Sequence, residues 1–171
     1  TIHKLSKQYG FRIIEDASHA IGGSYQNEKV GSCTYSDITV FSFHPVKIIT
    51  SGEGGIATTN LSDLDSKLKL HRSHGITRAP ELLTRESDGP WYYEQLELGF
   101  NYRLTDIQAV LGLNQLKRLD EFIVRRREIA ARYDTEFGDS KFQVPWQHPD
   151  TQSSYHLYVL RLSEQSNAIQ H

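Results

Sequence analysis

Ile38-Thr39-Val40-Phe41-Ser42-Phe43-His44-Pro45-Val46-Lys47, followed shortly by Ser51-Gly52-Glu53-Gly54-Gly55, is the stretch on which the reading of this chain turns. The apolar, β-branched run at 38–43 predicts a buried strand. Pro45 cannot donate to a sheet ladder, so the strand is predicted to stop about there. The glycine-rich cluster at 51–55 marks a tight turn, and Ile56-Ala57-Thr58-Thr59 predicts the next strand. Upstream, Ile2, Leu5 and Tyr9 share one helical stripe, which Gly10 closes. Phe11-Arg12-Ile13-Ile14 then predicts another strand, ending in Glu15 and Asp16. A helix followed at once by a strand is the αβ unit of a parallel sheet, so the fold class is α/β.

Further along, the polar turn Gln26-Asn27-Glu28-Lys29 between Tyr25 and Val30 predicts a small hairpin. Ser62 or Asp63 is expected to cap a helix that carries Leu64, Leu68 and His71 and ends near Gly75. Residues 76–98 have little periodicity and much charge, and read as a long surface excursion. Thr105 and Gln108 form a capping box, opening a helix with Ile107, Leu111, Gln115 and Leu119 on one face and Val110, Leu113 and Leu116 on an adjoining one. A second helix is predicted at 120–137, stopped by Gly138. Pro145 and Pro149 then punctuate a loop, and a strand is expected at 155–162. The first helix starts without a cap, and Asn167-Ala168-Ile169-Gln170-His171 stands where a new element would begin, so the chain reads as a fragment.

Composition narrows the class. A chain of 171 residues, 37% hydrophobic and 23% charged, is long enough to bury a core and too apolar for disorder. Its net charge of -2 argues against a nucleic-acid partner. No stretch reaches the roughly 20 apolar residues of a membrane helix, and residues 1–10 lack the apolar centre of a signal peptide. The single Cys33 fits a reducing compartment. The expectation is a soluble, cytoplasmic protein without membrane or nucleic-acid partners.

Two residues carry most of the chemistry. Lys47 follows an apolar strand and precedes a glycine turn, an unusual address for a solvated charge. Desolvation there disfavours the ammonium and readies the amine for Schiff-base chemistry. A solvated loop lysine is the alternative. Asp16 also follows a strand, and in open α/β sheets ligands bind outside the strands' carboxyl ends. A carboxylate there can hold the proton on a pyridinium nitrogen, or it can simply cap a loop. Ser42 and the turn at 52–55 offer a hydroxyl and backbone N–H groups for phosphate, a weak signal. No Walker loop, dinucleotide fingerprint or nucleophile elbow occurs. His71 and His74 have a spacing that would serve one metal, but a structural role is the plainer reading.

Several ordered motifs carry a resemblance. They are Ile-Ile-Glu-Asp-Ala-Ser-His-Ala-Ile-Gly at 13–22, Phe-Ser-Phe-His-Pro-Val-Lys at 41–47, Gly-Glu-Gly-Gly at 52–55, Arg-Ser-His-Gly at 72–75, Gly-Phe-Asn-Tyr-Arg-Leu-Thr-Asp-Ile-Gln-Ala at 99–109 and Tyr-His-Leu-Tyr at 155–158. In this order they resemble the DegT/DnrJ/EryC1/StrS aminotransferases along nearly the whole chain. Within that family the likeness is greatest to members acting in pseudaminic acid biosynthesis. These aminate a UDP-4-keto-6-deoxy-N-acetyl-hexosamine with glutamate as donor.

The resemblance implies a fold type I pyridoxal 5'-phosphate enzyme, with a mixed, mostly parallel sheet flanked by helices on both faces. It assigns residues 1–118 to the cofactor-binding large domain and 119–171 to a linking helix and the start of a smaller C-terminal domain. By the same resemblance Lys47 is the Schiff-base lysine, Asp16 the partner of the pyridine nitrogen, and His19 a neighbour of the cofactor ring. Ser42 is a phosphate-binding hydroxyl, and Asn101 reaches the phosphate of the adjacent subunit, which implies a homodimer. A histidine at position 47 would have pointed to the family's dehydratase branch. Family members are about twice this long or more, which again implies a fragment. The rival readings are a sugar- or nucleotide-binding module using Trp91, Tyr92 and Tyr93, and a non-catalytic fragment.

Overall fold

The computed structural model describes residues 1–162. The expectation of a new element at 167–171 therefore lies outside the described residues. A central sheet carries β1 (Ile14–Asp16), β4 (Ile38–Ser42) and β5 (Gly55–Thr58) in the order β1-β4-β5. β1 runs parallel to β4, with Ile14 level with Ile38 and Asp16 with Val40. β5 is antiparallel to β4, pairing Thr39 with Thr58 and Ser42 with Gly55. The sheet is thus mixed. β4 is its middle strand, with Thr39 and Phe41 buried on one face as period-two alternation demands.

The first strand starts later than its sequence predicts. The side chain of Asp37 accepts from Ile13 N–H at 2.7 Å, while the Ile13 carbonyl accepts from Asp37 N–H at 2.9 Å and Ile38 N–H at 3.2 Å. With Ile13 so occupied, the ladder begins at Ile14 and carries Asp16 as its last rung.

α1 (Ile2–Tyr9) has no side-chain cap and ends at left-handed Gly10. β2 (Ser24–Tyr25) and β3 (Glu28–Lys29) form the expected hairpin, closed by Gln26 and Asn27 at φ 50° and 66°. Two positive φ values at the turn centre are the hairpin geometry that matches strand twist. α2 (Ser62–Arg72) is not capped by Ser62 or Asp63. Leu61 holds the cap position in extended conformation, its N–H donating to Thr59 Oγ1 at 3.2 Å, and Asp63 instead joins Asp65 in the first turn, where carboxylates suit the helix dipole. The excursion after α2 contains a short ladder of β6 (Ile76–Thr77) with β7 (Glu94–Gln95) and a single 3-10 turn at Pro80–Leu82.

α3 (Asp106–Leu116) opens with the predicted capping box, Thr105 and Gln108 bonding reciprocally. α4 (Leu119–Phe137) follows after two residues. β8 (Phe142–Gln143) pairs with β10 (Arg161–Leu162), and β9 (Thr151–Gln152) adds to the β2–β3 hairpin. The strand expected at 155–162 is confined to its last two described residues. Tyr155 takes φ 48°, and Arg126 Nη1 claims the carbonyls of Tyr155 (3.0 Å) and His156 (3.4 Å), so this backbone is bonded to a helix side chain instead of a ladder.

The core lies between the loop after β4 and α4. Ile48, Ile49 and Ile123 are buried together, with Ile21, Phe43, Leu119 and Phe122 packed against them. Burying each such isoleucine contributes about 1.5–3 kcal/mol. Gly22 approaches so closely that a Cβ there would lie 2.7 Å from Ile123 Cγ1. α4 therefore holds both segments that leave the sheet's carboxyl edge.

Candidate active site

Asp16 and Ser42 leave the sheet at the same edge, since β1 and β4 run parallel and end within two rungs of one another. Asp16 Oδ1 accepts from Ser18 N–H at 3.0 Å and from Ser18 Oγ at 2.6 Å. Those bonds hold the carboxyl below its ordinary pKa, and the charges of His19 and Lys47 lower it further. A carboxylate ionised in this way is a standing acceptor.

Lys47 sits on the turn that follows β4. Its N–H donates to the His44 carbonyl at 3.0 Å across Pro45, and its side chain is half-buried. The loop is closed on Phe43, whose carbonyl accepts from Ser51 N–H (3.0 Å) and Thr50 Oγ1 (2.9 Å) and whose N–H donates to Gly54 (2.8 Å). Because the next residues, Ile48 and Ile49, are anchored in the core, Lys47 is fixed by its neighbours on both sides. Ser42 Oγ accepts a long bond of 3.4 Å from His44 N–H. The neighbouring glycine turn is not a ready phosphate cradle, because Gly52 N–H already donates to Thr50 Oγ1 at 2.9 Å.

His19 is exposed, and its ring meets that of His156 at 4.4 Å between centroids, tilted by 42°. Ser154 Oγ donates to the His19 carbonyl at 3.3 Å. Burial lowers the pKa of His156, helped by the charges of His19, Lys47 and Arg126. Sequence reasoning passed over His156 as a site residue. Its only signal was its place in the Tyr-His-Leu-Tyr motif at 155–158.

Asn101 does not join this group. It bridges Ser73 where two motifs cross: His74 N–H donates to the Phe100 carbonyl at 2.8 Å, and Phe100 N–H to that of His71 at 2.7 Å. His71 and His74 hold no metal geometry; His71 Nε2 lies 2.9 Å from Glu97. Among the described residues, no group of three or more His, Cys, Asp or Glu is placed to hold a metal ion, and no helix is long and apolar enough to cross a membrane. Trp91 and Tyr93 are exposed, whereas Tyr92 is tied to Arg85 and Glu94. A large cavity lies elsewhere, lined by His3, Ile14, Glu15, Tyr25, Cys33 and Tyr35 among others. None of Asp16, His19, Ser42, Lys47 or His156 lines it. The carboxylate of Asp16, the anchored Lys47 and the paired imidazoles of His19 and His156 lie apart from that cavity.

The model of the DegT/DnrJ/EryC1/StrS aminotransferase family matches residues 1–171. This chain belongs to that family. Among relatives, a UDP-4-amino-4,6-dideoxy-N-acetyl-beta-L-altrosamine transaminase of Campylobacter jejuni is 44% identical over 162 residues, covering 94% of this chain and 40% of the relative. The Helicobacter pylori aminotransferase PseC, involved in the biosynthesis of pseudoaminic acid, superposes with a TM-score of 0.82 at 39% identity, over 94% of this chain and 41% of that structure. The Streptococcus pneumoniae putative sugar aminotransferase Spr1654, in its PLP-form, gives a TM-score of 0.77 at 32% identity, over 92% and 39%. The chain has the fold of these family members and spans about two fifths of their length.

Proposed function

We propose that this chain supplies part of a cytoplasmic pyridoxal-phosphate-dependent aminotransferase. The enzyme moves an amino group from glutamate to a UDP-linked 4-keto-6-deoxy-N-acetyl-hexosamine. The observation that carries the reading is the placement of Asp16 and Lys47 after two paired parallel strands, each within reach of the other's charge, in a member of an aminotransferase family. The printed name of the Campylobacter jejuni relative supports the sugar. The half-buried Cys33, free of any disulfide, suits the reducing compartment.

The residues present fit the cofactor. A carboxylate whose pKa Ser18 lowers further would suit a protonated ring nitrogen, and a lysine whose charge reaches that carboxylate would suit an aldehyde carbon. Bound there, pyridoxal phosphate supplies an electron sink next to the carbon that gains or loses nitrogen. Lys47 would hold the aldehyde carbon, and its amine would serve as the base that moves a proton at the substrate carbon. Asp16 would accept the hydrogen bond of the ring N–H and keep that proton in place. His19 would neighbour the ring, and the Ser42 hydroxyl would bind the phosphate.

Asn101 belongs to a different face and serves the phosphate of a second subunit's site, which makes the enzyme a homodimer. Support comes from the apolar surface beside it, where Leu98 is 88% exposed, Tyr102 72%, Ile107 84% and Val110 66%. Residues 1–118 contribute to the cofactor-binding unit, and α4 begins the link to the smaller one.

The test is borohydride reduction of the full-length protein with pyridoxal phosphate, followed by peptide mapping. The expected result is a label on Lys47 alone, with Lys47→Ala losing the label and lowering turnover by at least about a hundredfold, the low end for a positioned proton-transfer group. A label on another lysine, or no visible cofactor colour, would overturn the assignment and favour a binding module built on the exposed aromatics Trp91 and Tyr93.

A further inference from the structure

His156 reaches the site from a part of the chain remote from Asp16 and Lys47, and its backbone is held from two directions. Arg126 Nη1 of α4 donates to the carbonyls of Tyr155 at 3.0 Å and His156 at 3.4 Å. Arg127, one residue on, donates through Nε to the Ser153 carbonyl at 3.0 Å and through Nη2 to that of Gly22 at 3.4 Å. Ser154, itself 2% exposed, donates to the His19 carbonyl. So restrained, the ring of His156 lies against that of His19, tilted by 42°, while its Nδ1 is buried and has no hydrogen-bond partner among the described residues. Buried polar atoms are almost always paired, so an unpaired one beside a chemical site calls for a partner that is absent from the chain itself.

We propose that His156 is a ligand-contacting residue of this site, its Nδ1 held for a hydroxyl of the sugar substrate while its ring face sets the plane of His19. The choice of a hydroxyl follows from charge. Burial, then His19, Lys47 and Arg126, keep this imidazole in its neutral form. A neutral imidazole nitrogen is a donor or an acceptor according to tautomer, and a hydroxyl satisfies either. A phosphate or carboxylate oxygen would instead favour the imidazolium, which burial and the charges of Lys47 and Arg126 oppose. Lys47 already serves the reacting carbon and Asp16 the ring nitrogen in the function proposed above, on which this inference rests. His156 is the polar group left over for the sugar.

Calorimetry on the full-length protein separates the possibilities, with UDP-N-acetylglucosamine and UDP as probes and pyridoxal phosphate titrated by its absorbance. His156→Phe keeps a ring against His19 and removes Nδ1. It is expected to weaken UDP-N-acetylglucosamine about tenfold, the order of one neutral hydrogen bond, while UDP and pyridoxal phosphate bind as before. His156→Asn returns a short polar group and should recover part of the loss, which a purely structural role would not allow. Equal weakening of UDP and the sugar nucleotide, weakening of pyridoxal phosphate alone, or unchanged binding throughout would each overturn the proposal. So would failure of the unsubstituted protein to bind the sugar nucleotide. An unsubstituted protein that binds the sugar nucleotide yet takes no cofactor colour would fell the aminotransferase reading and leave the His156 comparison readable.

Discussion

Asp16 has its pKa lowered chiefly by one neighbour. The Ser18 hydroxyl at 2.6 Å is the largest influence on its carboxyl, ahead of the Ser18 N–H; desolvation opposes them, and His19 and Lys47 add smaller lowering effects. Because the folded-state pKa is depressed, ionised Asp16 contributes stability above the ordinary carboxylate pKa of about 3.9, and that contribution is lost as pH falls through the folded value. Replacing Ser18 by Ala should therefore raise the Asp16 pKa toward the ordinary value while leaving the backbone N–H bond. Carbon-detected NMR titration of the side-chain carboxyl reads this directly, and a midpoint that did not move would mean that the hydroxyl is not what holds the charge. The residue types here were legible in the sequence; the local bond that tunes Asp16 was not, because it depends on the turn geometry after β1.

At the scale of elements, the notable construction is the crossing of the Arg-Ser-His-Gly segment at the end of α2 with the Gly-Phe-Asn-Tyr segment before α3. Gly75 takes φ 68°, and a Cβ on it would lie 1.8 Å from the Glu97 carbonyl oxygen. Its own carbonyl accepts from Leu96 N–H at 2.8 Å, so the backbone cannot retreat without breaking that bond. Gly75→Ala is expected to destabilise the full-length protein by about 1–3 kcal/mol through overpacking, with left-handed strain adding about 1–2 kcal/mol. Urea unfolding measures it, and a loss under about 0.5 kcal/mol would show that the crossing gives way. Asn101 sits one rung from this crossing, bridged to Ser73, so the same substitution should disturb its position. The sequence shows both motifs, but only the fold shows that they lie against one another.

For the molecule as a whole, α3 is an apolar helix that the described residues leave uncovered. None of its residues is buried, although Ile107, Val110, Leu111, Leu113 and Leu116 are apolar. A helix apolar on most of its circumference belongs in an interior. If a second subunit covers it, Ile107→Asp should weaken self-association of the full-length protein by at least about thirtyfold, the scale of an interface hot spot worth about 2 kcal/mol. Sedimentation velocity across a concentration series is the measurement. An unchanged dimer would place the interface elsewhere. Ile107 is 84% exposed within the chain, so the substitution removes no packing among residues 1–162, and urea unfolding of the same variant separates lost association from lost stability.

The sequence by itself determined the local elements with local causes. β4, which ends at Ser42 shortly before Pro45, the Gln26-Asn27 hairpin turn and the Thr105 capping box each depend on residues a few positions apart, and so do the addresses of Asp16 at the end of β1 and Lys47 on the turn after β4. The ordered motifs carried the family. Tertiary structure decided what depends on distant chain meeting in space. Asp37 delays β1 by taking the amide of Ile13, and Arg126 removes the carbonyls of 155 and 156 from any ladder, so two strand predictions shifted or shrank. The same helix that carries Arg126 packs Ile123 on Ile48 and Ile49 and holds the chain around Ser153 through Arg127. That packing brings His156 to His19, a pairing that no periodicity or spacing encodes, because it is fixed by side chains of α4 acting on three separate segments at once.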